Sequence, residues 1–334
     1  MARYARRLQK IGSSMLISLP IQWIKSNNLK KGNIVPVDIN RDNSISIFPS
    51  DDMVEDAKEV TIAYSAVAMD TLVNQVYGAY LLGYDVIRIN ANSPIPFEDA
   101  DRVKKAMRKL VGLEIVDEDG FHISAQFLLD TNTLDAEKIL RRMSAIVVGM
   151  YRDLLDAIKL KDNSIRRVIS GRDDEVDRQY FLLVRLIRSA MMDQRLAGKL
   201  NLSNIDILDY RIAANLLESA GDYIVDLAGT IQDLSRIKVE NEIAEACALV
   251  EKMQEKSVAA FVNKNRAEAN TVVKTYNKFN EILSSIKSGA ESKNPESAIA
   301  ALNLTNSIDK IARCWVDVAD LVKPVHLTAP LKNA

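Results

Sequence analysis

Residues 216–229 read LLESAGDYIVDLAG. The apolar residues recur at helical spacing, yet Glu218, Asp222 and Asp226 follow one another at steps of four. Residues four apart stack along a helix and drift only about 40° around its axis per step, so the three carboxylates leave one face together. Like charges so placed repel. Water, neighbouring arginines or a bound cation must balance them.

Outward from this helix, the chain reads as helix from Thr131 almost to Pro324, in six segments: 136–160, 162–197, 205–235, 240–264, 266–288 and 295–322. Short breaks such as KLKDN, GKLNLSN and KSGAESKNP separate them. In the second segment Ile169, Val176, Tyr180, Leu183, Val184 and Ile187 recur at near-heptad spacing, the pattern of bundle helices packed side by side. The segments fall into two sets of three. AIKLKDNSIRRVISGRDDEVD (157–177) aligns with AFVNKNRAEANTVVKTYNKFN (260–280), which sets Asp162, Asp174 and Asp177 against Asn265, Asn277 and Asn280. ESAGDYIVDLAG likewise lies over DKIARCWVDVAD, with Arg313 at the position of Asp222.

Two tandem three-helix units with this acidic signature resemble the PhoU family of phosphate-uptake regulators, over residues 134–323. That family carries E/D-x-x-x-D motifs, notably of the type ERIGDHAVNIAE. LESAGDYIVDLAG keeps the first acid, the Gly-Asp pair and the apolar-acid rhythm, and Asp173-x-x-x-Asp177 supplies a second acidic pair. The resemblance implies one divalent-metal site in the first repeat, formed by Asp173, Asp177, Glu218 and Asp222, with Asp174 and Asp226 peripheral. An oxygen-only set suits Mg²⁺, Mn²⁺ or Ca²⁺, and carboxylate-rich bundles also hold Fe. In the second repeat Arg313 and the asparagines would weaken the matching site. The residues alone leave open a solvated acidic stripe bridged by Arg172, Arg178 and Arg211.

Residues 57–130 change period. EVTIAYS and YDVIRIN alternate as strands, TLVNQVYGAYLLG and FEDADRVKKAMRKLVG have helical spacing, and LEIVDED and FHISAQFL flank an Asp-Gly turn as a hairpin. GYD and VGL read as helix stops, and no glycine loop suited to a nucleotide is present. This small α/β segment is a linker or interaction module without chemistry of its own.

The first fifty residues hold Arg3, Arg6, Arg7, Lys10, Lys25, Lys30, Lys31 and Arg41 against Asp38 and Asp42, a net of +6 in a chain whose total is −1. That asymmetry points to an anionic partner, nucleic acid being the common one, or else to a basic solvated face. RRLQKIGSSMLISLP reads as two short strands about a Gly-Ser-Ser turn, Pro20 opens a helical turn over IQWIKSNN, and IVPVDIN with SISIFP forms a second alternating pair. A module this small buries too little surface to stand alone, so a homodimer is expected. KIGSSMLISLP, the short helix, LKKGN and the closing hairpin resemble the AbrB/SpoVT swapped-hairpin domain. The resemblance implies that residues 1–50 dimerise and bind double-stranded DNA through Arg3, Arg6, Arg7 and Lys10, with Lys25, Lys30 and Lys31 at the edge.

The fold class is therefore mainly α: two tandem three-helix bundles (134–323), preceded by a small all-β swapped-hairpin domain (1–50) and a small α/β segment (57–130). Glycine and proline total only 20 of 334 residues, in keeping with helices. No apolar run approaches the roughly 18 residues of a membrane span, and charges stand where a signal peptide would be apolar, so a cytoplasmic protein without membrane insertion is expected. Cys247 and Cys314 lie far apart in helical pattern and read as buried thiols. His122 and His326 alone give histidine-based zinc sites and catalytic triads little to draw on.

Three functions follow in order. The first is a DNA-binding transcriptional regulator of phosphate uptake, with the helical half as a metal-binding sensor or relay. The second is a PhoU-type accessory protein that docks on phosphate ABC transporter components or a signalling partner without touching DNA. The third, a metal-dependent hydrolase, is weakest, because base and oxyanion stabiliser would have to be improvised from acids and arginines and no Glu-x-x-His pair is present.

Overall fold

The structure, a computed structural model, describes residues 4–39, 44–49, 57–160, 164–229, 241–290 and 295–322. The chain divides into two units, the first ending at Asp56 and the second running from Ala57 to Val325.

In the first unit β1 (Gln9–Ile11) and β2 (Ser14–Leu16) pair antiparallel about Gly12, whose φ of +61° is the left-handed conformation that glycine adopts without strain. Pro20, read from the sequence as the first helical residue, is the N-cap of α1 (Ile21–Ser26), which starts one position later. β3 (Val37–Ile39) and β4 (Ile45–Ile47) form the second antiparallel pair. No described residue from 4 to 49 is buried, and Ile34 and Ile39 are 89% and 78% exposed.

The second unit opens with the α/β module. Its elements run β5 (Glu59–Ala63), α2 (Met69–Leu81), β6 (Val86–Asn90), α3 (Phe97–Arg108), β7 (Leu113–Glu118) and β8 (His122–Phe127). The sheet order is β5-β6-β8-β7, with β5 parallel to β6 and the other pairs antiparallel. Alternation sends Ile62, Ile87, Ile89, Ile123 and Ala125 to one buried face, while Thr61, Arg88 and Gln126 take the other. Both stops act as read: Gly83 has φ +83° and Gly112 has φ +79°. A Cβ on Gly112 would stand 2.7 Å from Leu129 Cγ, so that turn needs glycine twice over.

The helical half follows as α4 (Ala136–Leu160), α5 (Ile165–Met192), α6 (Gln194–Lys199), α7 (Asn204–Gly229), α8 (Asn241–Val262), α9 (Arg266–Ala290) and α10 (Pro295–Asp320). The segment read as one helix over 162–197 is broken at Asp193, which is extended and caps α6 by accepting the Arg195 N–H at 2.8 Å. The third segment was expected to reach 235, and its part beyond 229 lies outside the described residues. α4, α5 and α7 pack as one bundle and α8, α9 and α10 as the other. The two meet through α4 against α8 and α7 against α10. Arg152 reaches Glu255 at 3.4 Å and Arg141 reaches Asn263 at 3.3 Å, which sets α4 and α8 antiparallel. No helix among the described residues is long and apolar enough to cross a membrane. Both cysteines are buried, and burial pushes the Cys247 and Cys314 thiols up to about 11 and about 12, far from a reactive thiolate.

Along α5 one stripe faces the α/β module. Asp174 pairs with Lys109 at 2.9 Å, Phe181 packs on Tyr77 with ring centroids 5.2 Å apart, and Ser189 lies under Gly83. Between them Arg185, only 3% exposed, donates to the Tyr80 and Tyr84 carbonyls at 2.8 Å each and to Asp85 at 2.9 Å, with its guanidinium 3.9 Å from the Phe127 ring. The module is thereby fixed to the helix that carries the acidic pair.

Candidate acidic site on the helical half

Asp173 and Asp177 stand one turn apart on α5, and Glu218 and Asp222 one turn apart on the facing α7. Gly221 lets them approach, since a Cβ there would lie 3.1 Å from Asp173 Oδ1. Asp173, Asp177 and Glu218 are half-buried, and Asp222 and Asp226 are exposed. Burial, followed by Asp177, Asp222, Asp174 and Glu218, pushes the Asp173 carboxyl up to about 7. Burial and then Asp222 also raise Asp177 and Glu218, and burial with Asp226 raises Asp222. Each carboxylate thus senses its neighbours as uncompensated negative charge.

The arginines offered as bridges are engaged elsewhere. Arg172 pairs with Asp153 at 2.7 Å, Arg178 with Glu175 at 3.8 Å, and Arg211 lies over the Tyr180 ring at 5.1 Å, easing only Glu218 through its field. The cation at the cluster is one that sequence reading missed, Lys109 just beyond α3, on Asp174. Tyr77 also sits there: burial raises its phenol, Lys109 lowers it, and Asp177 and Asp174 raise it further. In the sequence Lys109 is one more basic residue at the end of an amphipathic helix, and nothing local names a partner 65 residues away.

The second repeat shows what neutralisation looks like at equivalent positions. Tyr276 takes the place of Asp173, Asn280 of Asp177, Asp309 of Glu218 and Arg313 of Asp222. Asp309 accepts from the Tyr276 hydroxyl and from Arg313 Nε, both at 3.1 Å, and Asn280 hydrogen-bonds the Tyr276 hydroxyl. One carboxylate and one guanidinium balance, whereas the first repeat presents four carboxylates. Among the described residues no three His, Cys, Asp or Glu side chains converge closely enough to hold a metal ion as they stand. The donor set itself is oxygen-only and short of positive charge, which is the chemistry that a hard divalent cation satisfies and that Arg313 satisfies in the other repeat.

Both repeats match the PhoU domain family, over residues 140–231 and 243–322. The chain belongs to the PhoU family. Among solved structures, it is similar to the phosphate transport system regulatory protein PhoU from Streptococcus pneumoniae, 13% identical with a TM-score of 0.49, over 57% of this chain and 96% of that one. It is also similar to PhoU from Pseudomonas aeruginosa, 16% identical with a TM-score of 0.46, over 56% of this chain and 93% of that one. A comparison with curated proteins finds no match. The PhoU matches begin at residue 140, so Lys109, Tyr77 and the N-terminal unit lie outside them.

Ahead of the PhoU repeats, the described N-terminal cations are exposed. Arg6 and Arg7 precede β1, Lys10 is on it, Lys25 is in α1, and Lys30 and Lys31 stand in the turn before Gly32. Arg6 lies over the Tyr4 ring at 5.5 Å, and none of the six forms an ion pair among the described residues. Arg3 and Asp162 lie outside the described residues, as does His326. His122 is placed between Asp117 at 2.8 Å and Asp119 at 2.9 Å on the module hairpin, away from any ligand set of its own.

Proposed function

We propose that this chain is a PhoU-type accessory regulator of phosphate transport, whose helical half docks on a phosphate ABC transporter component or an associated signalling partner. The observation that carries the reading is the pair of PhoU repeats, with an uncompensated acidic face in one and a neutralised counterpart in the other. In this reading Asp173, Asp177, Glu218 and Asp222, with Asp174 and Asp226 at the edge, hold a divalent cation such as Mg²⁺, Mn²⁺, Ca²⁺ or Fe²⁺. The cation supplies charge to the face, and Gly221 keeps Asp173 close to α7.

A second reading adds transcriptional control: residues 1–50 act as an AbrB/SpoVT-type unit that dimerises and binds duplex DNA. What favours it is the set of six described cations without ion pairs on a unit that also leaves its isoleucines in water. The two readings separate in one experiment, binding to the promoter of a phosphate transporter and to a scrambled duplex across a salt series, alongside recovery of bound proteins from cells. Transporter ATPase without DNA enrichment supports the accessory role alone. Promoter preference that persists at high salt supports the regulator, and Arg6→Ala or Arg7→Ala then reduces the salt slope by about 1 each. Recovery of neither removes both readings.

A further inference from the structure

We propose that the outer edge of β5 is a docking surface for a second copy of this chain, the two copies pairing β5 with β5 antiparallel about Thr61 to make one continuous sheet.

The strand order β5-β6-β8-β7 leaves β5 and β7 as the edges of the α/β sheet. The two edges are finished differently. β7 shifts register between Ile115 and Asp117 and shows Glu114, Asp117 and Glu118 to solvent, so it is bulged and acidic, and both features discourage a further strand. β5 is regular over Glu59–Ala63 and has no proline, and its single charge, Glu59, is paired with Arg88 of β6. The ladder to β6 decides which backbone groups of β5 are left over. The Val86 N–H donates to the Lys58 carbonyl at 3.1 Å and the Tyr64 N–H donates to the Asn90 carbonyl at 2.8 Å. The even-numbered residues therefore face β6, and Glu59, Thr61 and Ala63 turn their N–H and C=O groups outward. Among the described residues no strand or backbone group takes them.

The strand is self-complementary in one register. With Thr61 opposite the partner's Thr61, Glu59 meets the partner's Ala63 and Val60 meets the partner's Ile62. Every outward N–H of these residues then finds an outward C=O on the other copy. The threonines form a favourable cross-strand pair, and half-buried Val60 gains an apolar neighbour on the face that already buries Ile62. The slipped register that sets Glu59 against the partner's Glu59 opposes two carboxylates, so charge selects the first. Since Arg185 ties the module to α5, the pairing also couples the helical halves of the two copies. A pairing of five residues falls short of the roughly 1,000 Å² of a stable complex. It is a weak contact, filled at high chain concentration or when another contact already holds two copies together.

The test is oxidative cross-linking of the full chain carrying Thr61→Cys, compared with Glu114→Cys on the opposite edge, with Cys247 and Cys314 buried and out of reach. Opposed residues of a hydrogen-bonded antiparallel pair have Cα atoms about 5.5 Å apart, a span that a disulfide bridges. Thr61→Cys is therefore expected to link chains roughly tenfold faster than Glu114→Cys. If it stays unlinked, or links no faster than Glu114→Cys, the inference is overturned. Amide exchange on the chain without added cysteine gives a second reading. The Thr61 and Ala63 amides should slow as the chain is concentrated, while those of Val60 and Ile62 are slow throughout. Thr61→Lys, which opposes two ammonium groups across the axis, should remove that concentration dependence. Fast exchange at Thr61 and Ala63 at every concentration overturns the inference as well, and is the result expected if this edge serves a strand of another protein.

Discussion

Asp173 concentrates the electrostatic strain of the molecule. Its carboxyl is half-buried between Asp177 and Asp222 and is pushed from an ordinary value near 3.8 up to about 7. Between those two values the folded state holds a proton that the unfolded state has lost, so stability falls as pH rises through that window and levels off above it. In chelator, urea unfolding from pH 4 to pH 8 should show this decline, and Asp173→Asn should abolish much of it. The gain in the variant at pH 8 is about 1–2 kcal/mol once solvent screening of a half-exposed group is allowed for, and close to nothing at pH 4. A variant with the same pH profile as the wild type would remove Asp173 as the strained group. The sequence made this residue a candidate through its step of four to Asp177 together with the resemblance to the PhoU family, because steps of three and four decide which side chains share a face. It could not say whether arginines closed the face, since Arg172, Arg178 and Arg211 find their partners by tertiary approach.

At the scale of elements, α5 is the organising helix. It faces α7 with Asp173 and Asp177, α4 with its apolar residues, and the α/β module with the stripe that ends in Arg185. Burial holds the Arg185 guanidinium below its ordinary range, while Tyr80 and Asp85 support its charge. Replacing Arg185 with Met takes its donor from the Tyr84 carbonyl, leaves the Tyr80 carbonyl with the Gly83 N–H, and removes the ion-pair partner of Asp85. The expected loss is about 3 kcal/mol in urea unfolding, with earlier exposure of the module than of the helices. Unchanged stability would mean that the module is held by its apolar contacts instead. Periodicity placed α5 well because Ile169, Val176, Leu183 and Ile187 mark a buried face. The break at Asp193 escaped it, since Met191, Met192, Arg195 and Leu196 continue a helical rhythm while the capping carboxylate decides locally against it. The FLLVRLI run also held a clue that went unread: an arginine among apolar residues on every side has to find partners indoors.

At the scale of the whole molecule, the N-terminal unit leaves Ile11, Ile34, Ile39 and Ile45 in water, each more than half exposed. Two isolated hairpins of three-residue strands do not sustain themselves. A second copy that brings its own hairpins against these is the economical way to cover them. Sedimentation at micromolar concentration should give the mass of two chains, with melting of this unit dependent on concentration. Ile11→Asp or Ile39→Asp should yield a monomer whose PhoU repeats remain folded. A wild-type monomer under these conditions would overturn the dimer.

The sequence by itself determined the helical class, the two repeats, the strand and helix order of the α/β module and the step of four within each acidic pair. These depend on periods of two and 3.6 residues, on glycine at left-handed stops and on spacing within a single helix, all of which are local. Tertiary structure alone decided which charges meet. Lys109 and Asp174, Arg185 and Asp85, and Tyr276 and Asp309 are pairs brought together from distant segments, and Coulomb energy and burial act on distance in space, whatever the separation along the chain.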